Sequence, residues 1–210
     1  MRALDGTTKE RVMQAALHIF AERGYAGASL RDIAAMAGVT KPMVYYHFGS
    51  KAGLYQALLD QSLDESFAQM KLGDQGATLR ERLVRVVESM LTYGMDNPDM
   101  IRIVVQTFGM APGEIPPEIR YQEKLRARFV WLRSLMQDGI ARGELACRDA
   151  DLLTISLLGQ THFLITSKVI LGGPHPADKI TPAAIIALFM GGAEPRERAG
   201  PAPGMRAVPA

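Results

Sequence analysis

Between Lys41 and His47 the chain sets a lysine, a methionine, two tyrosines and a histidine within about two helical turns. Such a set can donate and accept hydrogen bonds and lay apolar surface against a methyl group. That is the chemistry that reads base edges in a DNA major groove. To do it, the side chains need a short helix that spends little of that face on packing. The segment from Ser29 to Lys51, SLRDIAAMAGVTKPMVYYHFGSK, supplies one. Ser29 is placed to cap a first helix, with Asp32 three residues on completing a capping-box-like pair. Leu30, Ile33, Ala34 and Ala37 fall on one face of it. Gly38 stands where a left-handed residue must end that helix. Thr40 caps a second helix, and Pro42 lies in its first turn, where a missing N–H costs nothing. Val44 and Phe48, four residues apart, face inward, which leaves Lys41, Met43, Tyr45, Tyr46 and His47 to face out.

The flanking sequence builds a frame for this pair. Upstream, Thr7 and Glu10 form a capping box. Val12, Ala16, Ile19 and Phe20 then share a face, and the helix stops at Gly24. Downstream, Ser50 caps a helix that starts at Lys51 and runs through Leu54, Ala57 and Leu58. Three helices thus precede a long fourth. The runs FAERGYAGASLRDIA and AGVTKPMVYYHFGSK, followed by the Leu54 to Leu58 segment, resemble the TetR family of one-component transcriptional regulators. The resemblance covers residues 7 to 66. It rests on the glycine turn, the Thr40 cap, Tyr45, Phe48 and Lys51 at the family's spacing, which is more specific than a bare helix-turn-helix pattern.

Bulk properties fit a DNA binder with a second function. A chain of 210 residues, 48 % apolar, allows one or two domains with a real core. Cys147 is the single cysteine, so neither an intramolecular disulfide nor a multi-cysteine metal site is available, and it reads as a packing or surface thiol. The start, MRALDGTTKER, has no apolar run, so no secretory signal is read and a cytoplasmic location is expected. Net charge is only +2, but residues 1–52 hold seven Lys or Arg against four acids, while the remainder is close to neutral. A basic N-terminal unit on a neutral body is the asymmetry such a protein needs.

Beyond Gly49 the periodicity is helical almost throughout, and no stretch alternates long enough to argue a strand. Helices are expected over 51–71, from Thr78 to the break at Asn97-Pro98, over 99–110, over 117–142, over 149–171 and from Thr181 to Gly191. The tail EPRERAGPAPGMRAVPA has little to bury and reads as disordered over 193–210. The run LLTISLLGQTHFLITSKVIL, residues 152–171, nearly reaches membrane-spanning length. Gln160, His162 and Lys168 would be costly in lipid, so a helix buried on several sides is expected instead, with no membrane partner. By resemblance, helices 149–171 and 181–191 form a four-helix interface in a homodimer. Thr154, Leu158, Thr161, Ile165 and Val169 are the expected interface face, with Ile185, Ile186, Leu188 and Phe189 added by the last helix. The fold class is therefore all-α with about nine helices. A helix-turn-helix domain (6–66, reading unit 29–48) would join a ligand-binding and dimerisation domain (67–192).

The resemblance implies roles for particular residues. Lys41, Pro42, Met43, Tyr45, Tyr46, His47 and Lys51 stand where family members touch double-stranded DNA. Met43 departs from the more usual small residue and could read a base only by apolar contact. Tyr45 sits at the edge of the buried face, so a core role is open to it as well. Ser29 and Thr40, at helix N-termini, would offer hydroxyl and N–H groups to phosphates. A pocket for a small, largely apolar effector is expected among the C-terminal helices, with Met90, Tyr93, Phe108, Tyr121, Phe129 and Trp131 as candidates. Gln160, His162 and Phe163 complete that set, His162 being its polar handle. A ligand there would release a repressor from a palindromic operator, although an activator of the same build is an alternative. No HExxH, GxSxG or Gly-rich phosphate loop appears, and no cofactor motif, which speaks against an enzyme. A protein-only helical adaptor would leave the outward lysine, tyrosines and histidine unexplained.

Overall fold

The computed structural model describes residues 6–111 and 114–193. Among these it has nine α-helices: α1 Thr8–Gly27, α2 Leu30–Ala37, α3 Lys41–Phe48, α4 Lys51–Gly73, α5 Leu79–Asp96, α6 Pro98–Gly109, α7 Gln122–Ala141, α8 Ala150–Leu171 and α9 Pro182–Ala193. A single 3₁₀ turn, Pro176–Lys179, lies between the last two. The all-α expectation and the helix count hold. The tail expected to be disordered lies, from residue 194 on, outside the described residues.

Local signals set most of the boundaries. Thr7 and Glu10 make the reciprocal capping box, Thr78 and Glu81 make another, and Ser50 accepts from Gly53 N at 2.9 Å. At Gly24 the backbone turns to φ 69°, kinking α1 where the sequence places its stop. Gly38 ends α2 at φ 65°, a region closed to most side chains. Two details differ from expectation. Ser29 caps α2 as read, but the Asp32 carboxylate takes a hydrogen bond from Arg23 Nη1 at 3.1 Å rather than closing a capping box. Thr40 occupies the N-cap of α3 in extended conformation, yet its hydroxyl makes no capping hydrogen bond.

The long helix expected over 117–142 starts late, at Gln122. Gln56 of α4 clamps the Arg120 backbone, accepting from its N–H at 2.6 Å and donating to its carbonyl at 3.2 Å. Ile119 is drawn into the core beside α1 and α4 instead of joining the α7 stripe. A tertiary contact thus overrides a helical pattern.

Two hydrophobic cores result. One gathers α1 to α3 and the first half of α4 around Phe20, Ile33, Val44 and Tyr55. The other gathers α5, α7, α8 and α9 around Leu83, Val87, Leu132, Met136 and Ile186. Two elements serve both. α4 sends Leu54 and Leu58 into the first core and Met70 into the second. α6 sends Met100 and Ile103 into the first, while Ile101 packs on the second. The turn between α4 and α5 is held by Arg82, whose Nε and Nη2 donate to the two oxygens of Asp74 at 2.7 and 3.1 Å.

Among the described residues, no helix is long and apolar enough to cross a membrane. The sequence expects α8 to present Thr154, Leu158, Thr161, Ile165 and Val169 to a second chain. The structure reverses that face: Thr154, Thr161, Ile165 and Val169 are buried inside the protomer, and Leu158 is half-buried against the second core. Leu152, Ile155, Phe163 and Ile170 form the apolar stripe that is left in solvent. In α9 only Leu188 of the four expected residues is exposed, and Ile185, Ile186 and Phe189 are core. α8 is apolar nearly all round, so periodicity alone could not tell its two faces apart.

Candidate nucleic-acid interface and interior cavity

α3 is eight residues long and anchored by one fully buried side chain, Val44, with Phe48 half-buried behind it. Around that anchor Lys41, Pro42, Met43, Tyr45 and Tyr46 are all exposed, Tyr46 at 81 %. Large apolar and aromatic side chains left in solvent on a well-seated helix are costly unless they meet a partner. Lys41 Nζ rests 5.5 Å from the centre of the Tyr45 ring, so the cation and the aromatic form one unit on this face. Tyr45, which sequence left between core and surface, is on the surface. His47 is half-buried, its ring edge-on to Tyr46, and its covered Nε2 has no hydrogen-bond partner.

Ser29 and Lys51 have interior work as well. Ser29 Oγ accepts from Asp32 N at 3.1 Å. Lys51 is the larger surprise. Its ammonium donates to Ala28 O at 2.8 Å and Ala26 O at 3.3 Å, and lies 4.5 Å from the Tyr25 ring centre. Burial holds its pKa below the ordinary lysine value. It therefore ties the start of α4 to the carbonyls of the α1–α2 junction, fixing the orientation of the helix-turn-helix on its support.

The C-terminal body encloses a cavity of about 200 Å³. Its apolar wall includes Met70, Met90, Ile101, Val105, Leu125 and Ile165, from α4 to α8. Four of the nine expected effector residues line it: Met90, Tyr93, Phe108 and His162. The other five do not. Tyr121 stacks edge-on behind Phe108, Trp131 packs edge-on against Phe67, and Phe129 and Gln160 are half-buried elsewhere. Phe163 is 70 % exposed on the outer stripe of α8.

Polar groups missed from sequence also face the cavity, namely Ser62, Ser66, Thr166 and Arg128. Arg128 sits on α7 within LRARFVWLR, outside the apolar stripe read from the sequence. No local pattern marks it as inward-facing. His162 lines the cavity and keeps an exposed edge, with protein crowding the rest of the ring. That burial, helped by the nearby Arg128 guanidinium, lowers its pKa to about 4. Its imidazole is neutral near pH 7.

An exposed reading helix on a three-helix unit, carried by a larger helical body, is the build of a DNA-binding transcriptional regulator. Comparison with known proteins gives the particular family. The model for bacterial regulatory proteins of the tetR family matches residues 12–58, and the tetracyclin repressor-like C-terminal domain matches residues 76–166, together more than half of the chain. The chain belongs to the TetR family, whose members are regulators and not enzymes. It is 33 % identical over 92 residues to the HTH-type transcriptional regulator AcrR of Shigella flexneri, covering 40 % of this chain and 42 % of that protein. The chain spans about half the length, or less, of the first curated relatives it matches.

Among solved structures, the ketosteroid regulator KstR2 of Mycobacterium tuberculosis superposes with a TM-score of 0.73 at 23 % identity, covering 92 % of this chain and 98 % of that one. FadR of Bacillus subtilis, solved in complex with stearoyl-CoA, gives a TM-score of 0.70 at 20 % identity, covering 86 % and 95 %. At these identities the likeness is one of fold.

Proposed function

We propose that the protein is a cytoplasmic, homodimeric repressor that holds a palindromic operator and releases it when a small, largely apolar ligand enters the cavity. The observation that carries the DNA reading is the open face of α3, where Lys41, Met43, Tyr45 and Tyr46 stand in solvent around the buried Val44. Lys41 and Met43 would meet base edges. Tyr45, Tyr46 and His47 would meet phosphates or thymine methyls. Ser29, the uncapped Thr40 hydroxyl and Pro42 would border the backbone of the duplex. One such helix reads about half a turn of DNA, and a twofold pair places two of them ~34 Å apart. The exposed stripe Leu152, Ile155, Phe163 and Ile170, with Leu188, supports a second copy of the chain as the partner.

Residues 6–66 would form the reading unit and 67–192 the sensing and pairing unit, with α4 and α6 shared between them. A ligand wedged between these helices would favour one separation of the two reading helices over another. It can shift operator affinity by no more than its own difference in affinity for the two states. FadR of Bacillus subtilis binds a long acyl thioester. The cavity here is about 200 Å³, which supports a much smaller effector.

The test is operator binding by fluorescence anisotropy across a salt series, on DNA selected by the protein from a random pool. The expected result is a dimer on a palindrome, with affinity falling steeply as salt rises. A protein that selects no sequence, or that binds as a monomer, removes the reading.

A further inference from the structure

The cavity contains a cation without a counter-charge. The Nε of Arg128 is covered by protein and has no hydrogen-bond partner, and Nη1 makes one long contact, 3.4 Å, to Ser66 Oγ. Four other cations of the helical body are matched to acids: Arg82 to Asp74, Lys124 to Asp60 and Asp64, Arg133 to Asp151, Lys168 to Asp178. Arg128 has no ion pair among the described residues. Burial lowers its pKa, partly offset by Tyr93, but a guanidinium stays charged near neutral pH. A structural arginine on this face would be expected to take a carboxylate from a neighbouring helix. Arg128 is half-buried with its Nε covered, and a charge so placed without a carboxylate is costly until an anion arrives.

We infer that the cavity takes a small monocarboxylate with an apolar body, its carboxylate held by Arg128 and its body by the Met70, Met90, Ile101 and Ile165 wall. The planar guanidinium fork suits a carboxylate's two oxygens. His162 and Ser66 stand beside it as neutral hydrogen-bonding groups, able to donate without adding a second charge. Size sets the class. A dry cavity of ~150 Å³ is known to hold benzene, and this one is about 200 Å³. That leaves room for an aryl ring or a short acyl chain plus one carboxylate.

The inference rests on the effector reading above, but its test does not need DNA. Calorimetry on the full chain at pH 7 compares benzoate, phenylacetate and octanoate with benzamide and benzyl alcohol. The carboxylates are expected to bind about 10- to 100-fold tighter than the neutral compounds. Arg128→Met should erase that preference while changing affinity for benzyl alcohol less than about threefold, and Arg128→Lys should restore part of it. Because the ligand-free arginine is unpaired, Arg128→Met should melt no lower than the wild type, whereas a structural arginine would lower the melting temperature. Equal affinity for acid and amide, no carboxylate binding at millimolar concentration, or undiminished carboxylate binding by Arg128→Met overturns the inference.

Anisotropy on the selected operator separates the two readings. Carboxylate binding that leaves operator affinity unchanged upholds the cavity's chemistry and removes the effector role. Release by neutral compounds alone, unaffected by Arg128→Met, retains the effector role and overturns the carboxylate.

Discussion

Phe163→Ala should split the proposed dimer without harming the fold. Phe163 is 70 % exposed on the outer stripe of α8. A phenylalanine carries ~200 Å² of surface, so ~140 Å² of each copy is free to be covered by a partner. A twofold axis buries the same residue twice. At ~25 cal/mol per Å² the pair is worth up to ~7 kcal/mol. Alanine keeps a fraction of this, so the loss is about 4 kcal/mol, or ~10³ in the dimer dissociation constant. Sedimentation across a dilution series reads that shift directly, and circular dichroism checks that the monomer stays helical. The control is Thr161→Val. Thr161 is fully buried in the protomer, and its hydroxyl donates to Leu157 O of its own helix at 2.9 Å. Its loss should cost about 1 kcal/mol of stability and leave the dimer constant within about twofold. If Thr161→Val dissociates the dimer and Phe163→Ala does not, the interface lies on the other face of α8 and the exposure argument fails.

Lys41→Ala should weaken the selected operator by ~1–3 kcal/mol and scrambled DNA by much less, read by anisotropy. Lys51→Ala should instead lower the melting temperature, because two backbone carbonyls lose their donor, and any fall in DNA binding should be equal on all sequences. For His162 the unfolded pKa is 6.5 and the folded one about 4, with Arg128 and Tyr93 also facing the cavity. The unfolded chain then binds the proton first as pH falls. The contribution of His162 to stability is full above pH 6.5 and is lost between 6.5 and 4, so His162→Gln should flatten denaturant midpoints measured across that window. Gly94→Ala would set a methyl 2.6 Å from Ile165 Cγ2 in the cavity wall. It should cost ~1–3 kcal/mol in urea melts and weaken any cavity ligand.

The parts of this molecule that sequence made legible are those fixed by neighbours in the chain. The Thr7 box, the Ser29 cap, the Gly24 kink and the Gly38 turn each need only three or four residues to declare themselves. Val44 as the buried anchor of α3 followed from spacing alone. What stayed hidden was set by contacts distant along the chain. Lys51 looks like a phosphate ligand until the carbonyls of Ala26 and Ala28 are found beneath it. The start of α7 is moved five residues by a glutamine sixty-four positions away. Arg128 went unmarked because nothing in its own helix shows what α4 and α8 place over it. The face of α8 was misjudged because both faces are apolar, and only packing decides which one turns inward.

The proposed coupling between the two halves of the molecule would run through the helices they share. α6 buries Met100 and Ile103 in the N-terminal core, while its Ile101, Val104, Val105 and Phe108 face the cavity. It is also tied at three points, once to α4 and twice to α1. Tyr55 Oη of α4 shares a 2.8 Å hydrogen bond with Thr107 Oγ1, Gln106 Nε2 donates to Ala21 O of α1 at 3.0 Å, and His18 of α1 lies 3.8 Å from Asp99. Close-packed interiors do not absorb a displacement by compressing. A ligand that pushes α6 outward must therefore move α1 or break these polar ties, and α1 carries α2 and, through it, α3. The Tyr55–Thr107 pair is fully buried, so separating its members without replacement would leave unsatisfied groups at ~1–3 kcal/mol each. Moving α1 and α4 together as one body avoids that cost. The reading unit is thus expected to swing as a rigid piece rather than deform, with Lys51 keeping α4 locked to the α1–α2 junction throughout.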